Sequence, residues 1–293
     1  MKMLLADLGI LLVAFIWGST NVIVRDALAG ITPLWFCAIR FMVASFVVAL
    51  LFGKRALALP VRKRAIGTMI GTVFACAFPI AAIGLLYTTA GNQSFLISMS
   101  VVFVPLTAWL ITWKFPGWHI VTAVTLCTAG MAGLVLGEGM SVNIGDILSF
   151  VAMLFVTAYI LLVQRFVQDA DPYGLVVWQA FGGMILALVS AAIFEPSPAQ
   201  IGTAAWLAIA HTATVGYALT LVIQNVAQRH TTATHTAILL STSSLFGSVL
   251  GIVFLGEPMT AKIFVSSALI LAGVLIAELI PLIRKDHSPQ KEG

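Results

Sequence analysis

Charged residues are scarce in this chain: Asp, Glu, Lys and Arg make up 9% of its 293 residues, against about 25% in ordinary soluble domains. It has three cysteines, Cys37, Cys76 and Cys127, and none has the paired or His-adjacent spacing of a disulfide or metal site. A P-loop, an H-E-x-x-H motif, paired carboxylates and a Ser/His/Asp set in register are also missing. We therefore expect no metal, no cofactor and no enzymatic activity.

Hydrophobic residues, in contrast, make up 60% of the sequence. A bilayer core about 30 Å thick is crossed by a helix of about 20 apolar residues, and the sequence contains ten such windows separated by short polar or Gly/Pro-bearing breaks. The predicted spans are 5–24, 33–52, 65–86, 93–112, 119–137, 144–163, 173–193, 203–225, 233–255 and 261–283. The predicted fold class is therefore an all-α integral membrane protein.

The basic residues indicate the orientation of these spans. If the N-terminus is cytoplasmic, every Lys and Arg except Arg25, Arg40 and Lys262 lies in a cytoplasmic loop or tail. The positive-inside rule then places both termini in the cytoplasm, as an even number of spans requires. The basic residues behind the net charge of +4 thus mark the cytoplasmic side of the membrane. We therefore expect contact with membrane lipid and none with nucleic acid.

The chain contains an internal repeat. A shift of 143 residues superposes FLISMSVVFVPLTAWL (95–110) on ILLSTSSLFGSVLGIV (238–253), and it also aligns Gly130 with Gly273. Both stretches are apolar but carry hydroxyl residues, among them Ser98 in the first and Ser241 and Ser244 in the second. A hydroxyl within a membrane needs a partner or a cavity, so we expect the two halves to meet along these helices.

Span one holds Trp17 and Asn21, which lie four residues apart and share a helix face. For Asn21 an interhelical hydrogen bond, worth about 1 kcal/mol, and a substrate contact are equally good interpretations. Arg40 in span two must face protein, water or the interface, because a charge facing lipid is costly. Locking helices together is the preferred role for Arg40 over direct ligand binding.

Prolines and aromatic residues mark the other candidates. Pro79, after Phe78, and Pro105 each interrupt a helical hydrogen-bond ladder, which is tolerated where a cavity or a neighbouring helix satisfies the freed carbonyl. Tyr159 and Trp178 fit either an interfacial belt or a cavity wall. Polar residues of span eight share one broad face, which usually points inward. That face carries Thr214, Tyr217, Thr220 and Gln224.

The order of several short motifs resembles the EamA-type repeat of the drug/metabolite transporter superfamily, most closely the YddG-type amino-acid exporters. The motifs are Trp17-Gly18-Ser19, Pro33, Arg40-Phe41, Gly256-Glu257-Pro258 and the run 267–276. The resemblance implies two inverted five-helix repeats around a central cavity, and export across the bacterial inner (plasma) membrane by alternating access. The halves are not identical, since Trp113-Lys114 stands where the second half has Gly256-Glu257. A strictly symmetric site is therefore not expected.

We accordingly expect repeats at 3–138 and 143–283, followed by a disordered cytoplasmic tail at 284–293. The predicted substrate-binding residues combine aromatic walls with neutral hydrogen-bonding groups, which suits amino acids or similar small metabolites. They are Trp17, Asn21, Phe78, Ser98, Tyr159, Trp178, Tyr217, Ser241 and Ser244. The predicted structural or gating residues are Arg40, Pro79, Pro105 and Glu257.

No acidic residue lies in the middle of a predicted span, and only His211 is a candidate proton carrier. Proton-coupled transporters typically carry buried acidic or His residues, so facilitated transport or exchange is expected, with proton-coupled drug or metabolite efflux as the alternative. A channel or a structural membrane subunit also fits hydroxyl-lined helices. The expected oligomeric state is a monomer or a weak homo-oligomer.

Overall fold

The fold is described from a computed structural model, which covers residues 2–27, 31–85, 87–88, 93, 96–135, 143–198, 200–255 and 261–286. Throughout these residues the regular elements are helices. Their bounds are α1 Lys2–Ala27, α2 Pro33–Ala58, α3 Val61–Leu85, α4 Ser100–Thr112, α5 Trp118–Val135, α6 Ile144–Phe166, α7 Pro172–Phe194, α8 Thr203–Gln228, α9 Ala233–Leu255 and α10 Ala261–Asp286. A single 3₁₀ turn, Val167–Asp169, follows α6.

Local sequence explains several of the helix starts. Pro33 lies in the first turn of α2, as predicted, where its missing N–H costs no hydrogen bond. Asn143 and Asp146 form a reciprocal capping box at the start of α6, which satisfies two of the donors that a helix N-terminus leaves free. Asp171 caps α7 by accepting from the Gly174 N–H at 3.0 Å. These signals mark where one apolar segment ends and the next helix begins.

Length and composition make this a membrane protein. Within the described residues, six helices are long and apolar enough to cross a bilayer: Met3–Thr20, Pro33–Ala58, Val61–Ala81, Ile144–Asp169, Pro172–Phe194 and Thr203–Gln228. Shorter apolar helices are Leu96–Thr112, Trp118–Gly133 and Ile263–Ala277. The all-helical prediction is thus confirmed, whereas a count of ten membrane spans stays a prediction.

The outer surface of the bundle is apolar. In α2, Phe36 and Phe41 are fully buried, while Phe46 and Leu50 on another face are 69% and 76% exposed. Large exposed apolar side chains recur on most of the other helices. Such a surface is unsuited to water and suited to lipid tails.

Close contacts between α5 and α10 follow the internal repeat of the sequence. A side chain at Gly130 would collide with the backbone and side chain of Ile270, and one at Gly273 would collide with Cys127. The shift of 143 residues exchanges these two contacts, because it maps Gly130 onto Gly273 and Cys127 onto Ile270. Reciprocal contacts of this kind are the property of a two-fold interface.

The main helix pairs join the first half to the second. Helix α1 packs on α9, α2 on α7, α3 on α6 and α7, and α5 on α10. Glycines allow the closest approaches: a Cβ atom at Gly18 would lie 2.7 Å from the Ser243 carbonyl oxygen, and one at Gly71 would collide with the Gln179 carbonyl group. Gly18 in the Trp-Gly-Ser motif therefore has a packing role. These contacts bring side chains of both halves into one interior.

Candidate functional site

The interior is built around Phe74 of α3, which is 5% exposed. Its ring stacks on Tyr159 of α6 at 4.2 Å between centroids and lies edge-on to Phe78 at 5.3 Å. Trp17 of α1 and Tyr217 of α8 are parallel to it at 6.4 and 6.1 Å. With Phe41 of α2, 4.3 Å from Tyr217, these residues form what we call the aromatic cluster: Trp17, Phe41, Phe74, Phe78, Tyr159 and Tyr217.

The aromatic cluster combines helices α1, α2 and α3 of the first half with α6 and α8 of the second. Four of its members were predicted from the sequence as substrate-binding residues: Trp17, Phe78, Tyr159 and Tyr217. The structure brings these four together. Phe74 and Phe41 were not predicted, because a phenylalanine in an apolar helix has the same sequence signal whether it faces lipid or the interior.

A π-helical segment of α8, Thr214–Leu219, positions Tyr217 and binds Trp17. The Thr220 N–H donates to the Tyr217 carbonyl, and the Gly216 carbonyl accepts from the Trp17 indole N–H at 3.2 Å. The same indole N–H lies 3.3 Å from the Thr220 hydroxyl. π-Helical turns inside α-helices are frequent at functional sites. Here the turn connects α8 of the second half to α1 of the first.

Two tyrosine hydroxyls and an arginine nitrogen in this region have no hydrogen-bond partner among the described residues. They are Tyr159 Oη, Tyr217 Oη and Arg40 Nε. Tyr159 and Tyr217 are 0% and 4% exposed, and the Tyr159 hydroxyl lies beside Asn225 without reaching hydrogen-bond geometry. Buried polar atoms are nearly always paired, so this group of three needs an occupant or a bound water.

Arg40 extends over aromatic rings at the edge of the cluster. Its Cζ atom lies 5.2 Å from the Phe78 ring centroid, 5.5 Å from that of Phe41 and 5.8 Å from that of Phe36. These distances permit cation–π attraction. The ion pairs of the described structure involve Arg55 and Arg165, so Arg40 lacks a carboxylate partner among the described residues.

Buried amides extend from the cluster along α8. Gln179 and Asn225 exchange two hydrogen bonds of 2.8 and 3.1 Å between α7 and α8, and Gln228 donates to the Ile160 carbonyl of α6. The side chains of Gln179, Gln224, Asn225 and Gln228 are completely buried. Gln224 belonged to the polar face predicted for span eight, but its paired neighbours Gln179 and Asn225 were missed.

The two serine-bearing helices meet as the repeat predicted. The Ser98 and Ser244 hydroxyl oxygens lie 3.4 Å apart. Ser241 instead donates to the Ile238 carbonyl of its own helix and lies against Cys127 of α5. All three serines therefore lie at contacts between the halves, Ser98 and Ser244 with each other and Ser241 with α5.

The remaining predicted residues lie elsewhere. Trp178 donates its indole N–H to the Ala56 carbonyl at 3.1 Å, near the end of α2, and does not join the aromatic cluster. Pro79 and Pro105 lie inside α3 and α4. The side chain of Asn21, and Glu257 as a whole, fall outside the described residues.

The sequence interpretation also missed Glu195, which joins the two halves at the start of α2. Its carboxylate accepts the Leu34 N–H with both oxygens and the Trp35 N–H with one, each at 3.1 Å. The Trp35 indole N–H is 3.4 Å from the Glu195 carbonyl. A carboxylate at a helix N-terminus satisfies orphan donors and favours the helix dipole. Here the carboxylate comes from the end of α7, in the other half.

We expect Glu195→Ala to lower the free energy of unfolding by about 1–3 kcal/mol, because it leaves the Leu34 and Trp35 N–H groups without their acceptor. Asp169→Asn is the control: Asp169 pairs with Arg165 at 3.5 Å, with side chains 60% and 72% exposed, and surface pairs contribute about 0–1 kcal/mol. Reversible unfolding in mixed micelles would measure both. Equal stabilities would show that the Glu195 contacts do not hold α2 in place.

An all-helical membrane protein with two related halves, and an aromatic and polar interior between them, has the architecture of a small-molecule transporter. The chain belongs to the EamA-like transporter family, whose sequence profile matches residues 4–136 and again residues 143–279. Membership indicates a membrane transporter rather than an enzyme.

Two further proteins are similar to this chain. An "Uncharacterized transporter" of Archaeoglobus fulgidus is 32% identical over 281 residues, covering 95% of this chain and 87% of the archaeal protein. A crystal structure with 16% sequence identity matches the fold with a TM-score of 0.81, over 97% of this chain and 99% of the other. The first supports transport, and the second supports the fold alone.

Proposed function

We propose that the protein is a carrier that exports amino acids or similar small metabolites by alternating access, as in YddG-type exporters. The observation that carries this proposal is the aromatic cluster, to which both halves contribute side chains. In carriers built from inverted repeats, the substrate lies where the repeats meet and one repeat rocks against the other. Aromatic walls with a few polar groups suit small amphiphilic molecules.

We propose further that transport is downhill or exchange-type, in the inner (plasma) membrane, with both termini cytoplasmic. The distribution of Lys and Arg supports that orientation. Two inverted five-helix repeats would follow from it, because an odd number of spans per repeat inverts the second copy. Labelling of single cysteines placed within 54–64, where α2 ends and α3 begins, and in the C-terminal tail, from each side of the membrane, tests the orientation.

The central test is counterflow in proteoliposomes loaded with unlabelled amino acids, following a labelled neutral amino acid. We expect saturable, trans-stimulated uptake, which a channel does not show. Trp17→Ala should reduce it at least about tenfold, since loss of an aromatic wall and of a buried hydrogen bond costs more than 1.4 kcal/mol. Ser98→Ala should reduce it less, because that hydroxyl contacts another neutral hydroxyl.

Trp118→Ala is the matched control, because Trp118 is 76% exposed and remote in sequence from every cluster residue. Its uptake should equal that of the wild type. Uptake that is unsaturable would favour the channel alternative. Equal uptake by the Trp17→Ala variant and the wild type would place the substrate away from the aromatic cluster.

Proton-coupled efflux is the second candidate, and Asp7 favours it. This carboxylate of α1 is 7% exposed, and its Oδ1 atom has no hydrogen-bond partner in the described part of the chain. His235 lies within electrostatic range of it. We expect counterflow to continue when the pH gradient is collapsed with an ionophore. Transport that requires the pH gradient in the wild type, and no longer requires it in Asp7→Asn, would establish proton coupling instead.

A further inference from the structure

We propose that Arg40, Tyr159 and Tyr217 form a binding site for the carboxylate group of the substrate. This inference rests on the proposed carrier function and adds to it the chemical group that is recognised and the residues that recognise it. It reverses the role preferred for Arg40 from the sequence alone, which was to lock helices together.

The three side chains share one aromatic wall. Phe41 contacts both Arg40 and Tyr217, with its ring centroid 5.5 Å from the Arg40 Cζ atom and 4.3 Å from the Tyr217 ring centroid. Phe74 stacks on both tyrosines, with its ring centroid 4.2 Å from that of Tyr159 and 6.1 Å from that of Tyr217. The Tyr217 hydroxyl is within electrostatic range of both Arg40 and Tyr159. The three side chains are therefore arranged around the same two rings, Phe41 and Phe74.

The unpaired atoms define what would bind. Tyr159 and Tyr217 each retain an O–H donor, and Arg40 retains an N–H donor and a full positive charge. An arginine in a membrane span without a carboxylate partner is by default a candidate functional residue. One cation and two hydroxyl donors match a singly charged, planar carboxylate, which a guanidinium can bind with two parallel hydrogen bonds.

Glu195 is the other candidate partner for the Arg40 charge, since both act electrostatically on Cys37. The Glu195 oxygens already accept the Leu34 and Trp35 N–H groups, and no ion pair joins Glu195 to Arg40. Glu195 therefore does not neutralise Arg40 by direct contact. The aromatic rings around Arg40 attract the cation but offer it no anion.

The first experiment compares an amino acid with its own carboxamide, for example phenylalanine with phenylalaninamide and leucine with leucinamide. The unlabelled compounds compete with the labelled amino acid in counterflow. We expect the wild type to prefer the acid at least tenfold, because hydrogen bonds to a charged group contribute more than neutral ones. In Arg40→Gln this preference should disappear, and in Arg40→Lys it should be reduced, since an ammonium cannot bind in the planar two-bond mode.

Tyr217→Phe separates binding from folding. It keeps the ring and removes only a buried hydroxyl that lacks a partner, so the unfolding temperature should stay equal or rise. The preference for the acid should nevertheless fall about three- to tenfold. Arg165→Gln is the control, because Arg165 is an exposed arginine paired with Asp169; it should retain the wild-type preference.

Wild-type protein that accepts acid and amide equally would overturn the carboxylate site while leaving the carrier function intact. An unchanged preference in Arg40→Gln would overturn the role of Arg40. If no amino acid supports exchange, the proposed substrate class fails, and thermal unfolding in detergent decides the present inference. Phenylpropionate but not phenylpropionamide should then raise the unfolding temperature of the wild type and not that of Arg40→Gln; absence of a carboxylate-specific shift would refute it.

Discussion

Gly71→Ala is expected to destabilise the protein by about 3 kcal/mol or more, although it adds a single methyl group. The new Cβ atom would overlap both the carbon and the oxygen of the Gln179 carbonyl group. Non-bonded carbon and oxygen atoms need roughly 3.3 Å, so α3 and α7 must move apart. Backbone cannot rotate away as a flexible side chain can, which places the cost at or above the upper end for overpacking.

Gly53→Ala in α2 makes the same chemical change where a Cβ atom would meet nothing within 4 Å. We expect it to be neutral or to stabilise by up to about 1 kcal/mol, since alanine is the better helix former. Unfolding free energies in mixed micelles would measure the two variants side by side. If Gly71→Ala were as stable as Gly53→Ala, the backbones of α3 and α7 would not be in contact.

This pair of glycines shows where sequence interpretation stops. Small residues four positions apart, such as Gly67 and Gly71, favour close helix packing, and Gly71 faces α7 directly. The spacing could not identify the partner helix, because that depends on how the two halves are arranged. The open space beside Gly53 is equally invisible from one sequence, since it depends on where the other helices lie.

Sequence patterns identify only some residues of the aromatic cluster, because they do not show which helices pack together. Trp17, Tyr159 and Tyr217 attract attention because a polar atom on a large ring needs a reason to lie in a membrane. Phe74 carries no such atom, so its central position emerges only from the packing of α3 against both halves. Trp178 was predicted to bind substrate on similar grounds. Its indole N–H instead donates to a carbonyl near the end of α2, and its ring lies outside the aromatic cluster.

Backbone geometry was a further source of information that the sequence did not contain. The polar face predicted for span eight assumed regular helical spacing from Thr214 to Gln224. The π-helical segment Thr214–Leu219 interrupts that spacing, and Tyr217 within it packs on Phe41 and Phe74. Glu195 was missed for a related reason: its partners are backbone N–H groups at the start of α2, 160 and 161 residues away in the chain.

Phe74→Ala is expected to have the largest effect of any side-chain truncation in the interior. Phe74 contacts the rings of Trp17, Phe78, Tyr159 and Tyr217, so its removal leaves a cavity between the halves. Truncating a buried phenylalanine typically costs about 3–5 kcal/mol, and it also removes the surface on which Tyr159 stacks. Phe46→Ala, at a site 69% exposed on the outside of α2, should cost under about 1 kcal/mol.

Phe74→Leu distinguishes a binding surface from a packing residue. Leucine keeps most of the apolar volume, so the folded protein should remain, with a loss of about 1–2 kcal/mol. It provides no aromatic face for Tyr159 or Tyr217, whose hydroxyls would then be held less firmly. Counterflow per folded molecule should therefore fall at least about tenfold in Phe74→Leu and stay unchanged in Phe46→Leu. Equal counterflow in these two variants would reduce the aromatic cluster to a structural core and place the substrate elsewhere between the halves.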